Sequence, residues 1–146
     1  MNVERRCQES FERQGLMRSF GARLVEAAGG RAVIEVPYRE DLTQQHGYFH
    51  GGVVSAIADT ASGYAAYTTM PADASVLTVE FKISLLNPAA GEVLRAEAQV
   101  RKAGRTLVVV GATVFALRGE DAVCVAEMLG TFIVLRDTSD VESRTR

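Results

Sequence analysis

The sequence has little of what several function classes require. It contains two cysteines, two histidines and three prolines in 146 residues. Cys7 and Cys124 stand far apart and fit neither a metal-ligand spacing nor a disulfide framework, so a reducing compartment is the simpler expectation. No Cys/His constellation is present, and no metal or cofactor is expected. Neither sign of charge dominates: 16 basic residues face 18 acidic ones, a net charge of −2. That balance points to neither nucleic acid nor a membrane surface. There is no nucleotide P-loop, no Rossmann glycine pattern and no Gly-x-Ser-x-Gly elbow. The opening MNVERRCQESFERQG mixes both signs and lacks an apolar run, so no signal peptide is expected and the protein reads as cytoplasmic. One long segment, 51–69, carries a single charge. Its Ser, Thr and Gly content, and Asp59 near its centre, argue against a membrane span.

What is present suits one domain over 1–146, with a core over about 15–135 and a polar tail at 137–146. The apolar fraction of 47% is that of an ordinary soluble protein. Residues 3–14 suit a short amphipathic helix with Val3, Cys7, Phe11 and Gln14 or Gly15 near one face. Two short strands, 20–26 and 31–36, flank the Gly29-Gly30 turn as a hairpin. A polar loop, 37–45, leads to the helix expected over 51–69, which Pro71 ends.

Strands follow. Leu77, Val79, Phe81, Ile83 and Leu85 alternate with Thr78, Glu80, Lys82 and Ser84, a period of two with one buried face. Asn87-Pro88 stops that strand; Leu94 to Arg101 alternates in the same way. The segment 106–117 is apolar on both faces, as in a central strand, and 123–135 is the last strand. The expectation is an α+β fold: two strands, one long helix apolar nearly all round, then a four-strand meander. Such a helix must be enclosed, and a strongly curved antiparallel sheet wrapped around it does so.

The stretch QQHGYFHGGVVSAIADTASG, 44–63, holds both histidines, a glycine pair and one acid within a helix. Gln44, then five residues, His50-Gly51-Gly52, and Asp59-Thr60-Ala61 nine residues after the histidine resemble the hotdog fold. The closer resemblance is to acyl-CoA thioesterases of the phenylacetic-acid-degradation (PaaI-like) type. LTVEFKISLLNPAAGE and RKAGRTL are similar to the family's third strand with its Pro-containing turn and to its Gly-Arg hairpin. The resemblance implies thioester hydrolysis, active sites built between subunits, a positioning role for His50, and a homodimer or dimer of dimers. In some members a hydroxyl lies one helical turn after the acid; here that position is Gly63, beside Ser62.

Thioester hydrolysis develops negative charge on the carbonyl oxygen. A helix N-terminus offers unpaired N–H groups and partial positive charge, and a glycine there lets substrate approach. The Gly51 N–H is therefore a candidate oxyanion donor, against the plainer reading of a capping glycine, with Gly52 beside it in the substrate path. Asp59 is the candidate nucleophile or general base, against an acid merely bonded to Ser55, Ser62 or a strand. Eight residues separate the two, roughly 12 Å along the axis and roughly 80° around it. One chain cannot bring both to one carbonyl; two antiparallel helices of an isologous dimer can.

Gln44 is either an amide donor to the substrate or a solvated loop residue, and His46 matches no motif position. Ser55, Asp59, Ser62, Gly63 and Ala66 form a low-bulk stripe, suited to a ligand groove or to close helix packing. Thr78 is a candidate for orienting water. Arg101, Lys102 and Arg105, around the Ala103-Gly104 turn, are candidates for the phosphates of coenzyme A or simply a soluble hairpin tip. Tyr48, Phe49 and Tyr64 suit an aromatic or medium-chain acyl group. Two other readings share the fold. A non-catalytic acyl-CoA-binding protein would keep the groove and lose the acid. An acyl dehydratase usually has a proline beside the first glycine, absent here.

Overall fold

The computed structural model describes residues 2–138. The tail expected at 137–146 therefore lies outside them, apart from its first two residues. Two short helices come first: α1 (Val3–Phe11) and α2 (Gly15–Phe20). The Asn2 side chain accepts a 2.8 Å bond from the Arg5 N–H and starts α1. Gly21, at φ 66°, stops α2 in the left-handed conformation that a Cβ disfavours. Phe20, expected at the start of a strand, thus ends a helix instead; the local capping pattern outweighs the apolar run that follows it.

Strands β1 (Arg23–Ala28) and β2 (Arg31–Pro37) make the expected hairpin, with Gly29 and Gly30 both at positive φ. The long helix α3 (Gly51–Tyr67) follows a loop, and then come β3 (Ser75–Leu85), β4 (Val93–Ala103), β5 (Leu107–Arg118) and β6 (Asp121–Leu135). All pair antiparallel in one sheet, in the order β1-β2-β4-β5-β6-β3. This is the hotdog fold.

The four-strand meander is corrected to three strands, β4-β5-β6. Strand β3 pairs with β6 at the far edge and does not touch β4 in the sheet. Helix α3 packs across the sheet and the chain then enters β3 at the edge opposite β1. The link through Asn87 and Pro88 then returns the chain to β2, with which β4 pairs.

The core lies between α3 and the sheet. Ile57, Ala58, Ala61 and Ala65 meet Leu94, Ala96, Ala98, Val110 and Val114, all fully buried. The small side chains let the sheet curl closely around the helix. Arg6 of α1 holds the far end of α3, donating to the carbonyls of Tyr67 (2.7 Å), Met70 (3.2 Å) and Pro71 (2.8 Å) and lying 4.1 Å over the Tyr67 ring. A cation at a helix C-terminus complements the unpaired carbonyls there.

Helix α3 is not enclosed on all sides. Gly51, Ser55, Ala56, Asp59, Thr60 and Gly63 keep partial exposure at helical spacing, so one stripe of α3 is uncovered by its own sheet. Ser62 and Ala66, expected in that stripe, are buried instead. Beside it runs the open edge of β3, with Leu77, Val79, Phe81 and Leu85 between 39% and 58% exposed. The buried apolar face expected of this strand is thus not buried within the chain.

Candidate active site

The alternation in β3 contains a break. Its pairing with β6 runs Thr78↔Phe132, then Glu80↔Thr131 and Phe81↔Gly130, so Val79 is an inserted bulge residue. Residues paired directly share a face of the sheet. Thr78 therefore shares the helix-facing side with Phe132, while beyond the bulge Phe81, Ile83 and Leu85 take that side. Placing Thr78 on the polar outer face is corrected accordingly. Its Oγ1 donates a 2.8 Å hydrogen bond to Asp59 Oδ1.

Asp59 sits in the middle of α3, partly exposed. Burial raises its carboxyl pKa above the ordinary range, and the Thr78 bond pulls it partly back. One oxygen is held by the threonine, and the other has no protein partner among the described residues. A cavity of about 340 Å³ lies at this carboxylate, lined also by Thr60, Gly63, Val76, Leu77 and Phe132. The Asp59 carboxyl is thus fixed in orientation and partly desolvated.

The other half of the constellation lies at the start of α3. The His50 Nδ1 accepts the Gly52 N–H at 2.7 Å and caps the helix. The imidazole thus carries its proton on Nε2. A Cβ on Gly52 would come within 2.9 Å of that imidazole nitrogen, and a Cβ on Gly51 within 2.9 Å of Leu85 Cδ1. The glycine pair has two separate causes: one lies under the capping histidine, the other under the end of β3. The Gly52 N–H, expected beside Gly51 in the substrate path, is committed to the His50 cap. The Gly51 N–H, at the first helical position, has no intrahelical acceptor.

Gln44 belongs to the same end. Its Oε1 accepts the His46 N–H at 2.6 Å, inside a tight loop turned by Gly47 at φ 81°. That bond fixes the amide and leaves its Nε2 as a donor. Gln44 and Gly51 line one cavity of about 440 Å³ with Tyr48, Phe49, Val54 and Leu85. This cavity shares no lining residue with the one at Asp59. Within one chain, then, Gly51 and Gln44 line one space and Asp59 lines another.

Residues 46–123 match the Thioesterase superfamily. The chain belongs to that family. It is 45% identical to a thioesterase family protein from Silicibacter pomeroyi of known structure, with a TM-score of 0.88, over 90% of this chain and 97% of that one. It is 32% identical over 97 residues to the acyl-coenzyme A thioesterase PaaI of Escherichia coli K12, covering 65% of this chain and 66% of that one. The structure of E. coli PaaI, from the phenylacetic acid degradation operon, superimposes with a TM-score of 0.79 at 22% identity, over 94% of this chain and 99% of that one; it shares the fold. The PaaI-like resemblance read from the sequence stands.

Other residues of this thioesterase-family chain are distributed unevenly about the two cavities. Gly63 lines the Asp59 cavity. Ser62 does not: it is fully buried, its hydroxyl has no partner among the described residues, and it is corrected from substrate contact to core. His46 is exposed in the loop. The basic hairpin tip is divided. Arg101 turns back across β5, where a Cβ on Gly111 would meet its guanidinium at 2.7 Å. Lys102 is exposed on the strand end. Arg105 lines a separate cavity together with Arg136, whose guanidinium donates to the Arg105 carbonyl at 3.2 Å. Arg136 was not legible as a partner, because 31 residues separate it from Arg105. Ser10 of α1 and Arg13 and Gln14 of the α1–α2 turn also reach the Asp59 cavity. Gln14 had been visible only as a helix-face residue. No helix among the described residues is long and apolar enough to cross a membrane.

Proposed function

We propose that this protein is an acyl-CoA thioesterase whose active site is completed only in a dimer, with an aromatic or medium-chain acyl group as substrate. The observation that carries this reading is the separation of the Asp59 cavity from the Gly51–Gln44 cavity in a single chain. An antiparallel pairing of two α3 helices along the uncovered stripe brings Asp59 of one chain against Gly51 of the other, twice. The apolar open edge of β3 supports the same partner. An exposed apolar edge invites strand pairing, and a second β3 satisfies it. A dimer of two such dimers fits the reading.

In that site the Gly51 N–H and the Gln44 amide of one chain bind the thioester carbonyl oxygen, where charge grows as the tetrahedral intermediate forms. Asp59 of the other chain acts through the oxygen that Thr78 leaves free. It either attacks the carbonyl carbon or takes a proton from the attacking water. In the first route the C–S bond breaks to leave an acyl–Asp59 anhydride, which water then hydrolyses to the carboxylic acid and the free carboxylate. In the second the water adds and the C–S bond breaks to give the acid directly, and in both the thiolate leaves and is protonated as coenzyme A. His50 holds the helix start, Gly63 leaves room for the acyl group, and Arg105 with Arg136 meets phosphates of the coenzyme. No metal or cofactor is needed. The reading places the enzyme in the cytoplasm.

The test is thiol release from a panel of acyl-CoA thioesters. Hydrolysis that drops by at least a hundredfold in Asp59→Asn, with the fold retained, is the expected outcome; near wild-type kcat in that variant overturns the reading. Single turnover in oxygen-labelled water separates the two routes, since label enters the Asp59 carboxylate only if it attacks directly.

A further inference from the structure

The cavity at Asp59 has two unlike ends. Its sides are apolar, formed by Val76, Leu77 and Phe132. Its far end is polar and comes partly from outside the hotdog core, from α1 and the α1–α2 turn. There Gln14 Nε2 donates to the Tyr64 hydroxyl at 3.2 Å, and that hydroxyl donates to Ser10 Oγ at 3.1 Å. Tyr64 is 4% exposed, so its ring is fixed by packing, edge-on to Phe11 and Tyr67. Its hydroxyl in turn fixes the Gln14 amide by the nitrogen. The amide oxygen, an acceptor with two lone pairs, is left without a protein partner among the described residues.

Tyr64 lies five residues beyond Asp59 on α3, roughly 7.5 Å along the axis and roughly 140° around it, and both line this one cavity. An acyl group that starts at the carboxylate and runs along the cavity meets this wall. A methyl end would bury the Gln14 acceptor unpaired; a hydroxyl end would satisfy it. Sites with a buried hydrogen-bonding group reject the analogue that lacks the matching one.

We propose that Gln14, oriented by Tyr64, is a specificity-determining residue that selects acyl groups carrying a hydroxyl at their far end over apolar groups of equal length. This rests on the thioesterase reading and names the acyl class for that site.

The experiment compares hexanoyl-CoA with 6-hydroxyhexanoyl-CoA, using the full-length protein. Wild type should favour the hydroxy substrate by roughly tenfold in kcat/KM, and Gln14→Leu should bring the ratio to about one or below. The backbone bonds at this residue, Gln14 N to Phe11 O and Arg18 N to Gln14 O, survive that change. Tyr64→Phe, which removes only the orienting hydroxyl, should lower the ratio as well, and it carries the test if Gln14→Leu fails to fold. Calorimetric binding of the S-hexyl and S-(6-hydroxyhexyl) thioethers of coenzyme A reads the same preference without hydrolysis. Hydrolysis of neither thioester overturns the thioesterase reading, and the thioethers then still decide the specificity. A wild-type ratio near one, a ratio unchanged in the folded variants, or no binding of either thioether overturns the role of Gln14.

Discussion

Thr78 Oγ1 lies 2.8 Å from Asp59 Oδ1 and donates to it, joining the open edge strand to the middle of the central helix. The bond exists because a bulge at Val79 turns Thr78 inward, and it leaves one carboxylate oxygen for chemistry. It also makes the ionisation of Asp59 dependent on β3.

The first prediction concerns pH. Burial raises the Asp59 pKa and the Thr78 bond opposes that rise. The proposed mechanism needs the ionised form, so kcat should fall as pH drops through the raised pKa. Thr78→Val removes only the opposing bond. The acid limb of the pH–rate profile should then move to higher pH, and plateau kcat should fall by about fivefold. An unmoved limb would detach Thr78 from the reacting carboxylate.

Stability should respond in the opposite sense to activity. A carboxyl whose pKa is higher in the folded state binds its proton more tightly there, so its ionisation costs stability as pH rises. Asp59→Asn resembles the protonated form and can still accept the Thr78 bond. It should raise Tm by roughly 1–4 °C at neutral pH, and this gain should vanish below the unfolded-state pKa. Calorimetry across pH checks both halves; a Tm loss at neutral pH would mean that the charge is structurally required.

The β3 edge carries the oligomer in this account. Val79→Asp combined with Phe81→Asp places like charges on facing strands and should yield monomers by sedimentation. Turnover should drop by at least a hundredfold, although neither side chain lines the Asp59 cavity or the Gly51–Gln44 cavity. A monomer with wild-type turnover would remove the need for a partner.

Coenzyme recognition should divide the basic hairpin. Arg105→Ala, with or without Arg136→Ala, should raise KM for acyl-CoA by about tenfold and leave KM for the matching acyl-pantetheine near its original value. Arg101→Ala should leave both within about twofold, since its guanidinium lies back over Gly111. Equal effects of Arg105→Ala on both substrates would exclude it from phosphate contact.

Much of this architecture was legible in the sequence, for reasons that differ by element. The helix start was marked by His50-Gly51-Gly52, and its spacing to Asp59 is what raised the expectation of a site shared between two chains. The bulge in β3 was not legible, because Val79 is apolar and fits a buried alternation as well as an insertion. That strand has apolar residues to spare because part of it faces away from its own core. The far-edge position of β3 escaped for a similar reason: periodicity reports a strand's faces but not its neighbours. Ser62 was misplaced because a fully buried, unpartnered hydroxyl is unusual in a core. The polar wall of Gln14, Tyr64 and Ser10 joins residues about fifty apart, which no local pattern announces.

The most direct measurement mixes two inactive variants. Asp59→Asn lacks the carboxylate. Gly51→Val puts a side chain where a Cβ already comes within 2.9 Å of Leu85 Cδ1, a flexible end that can yield, and blocks the carbonyl-binding N–H. Each homodimer should be nearly inactive. After subunit exchange of equal amounts, about half the dimers are mixed, and each mixed dimer holds one site with both native groups and one with neither. Activity should return to roughly one quarter of wild type. Circular dichroism verifies the fold of each variant and native mass spectrometry counts the mixed dimers. Mixed dimers in the expected proportion with no recovered activity would contradict the shared site.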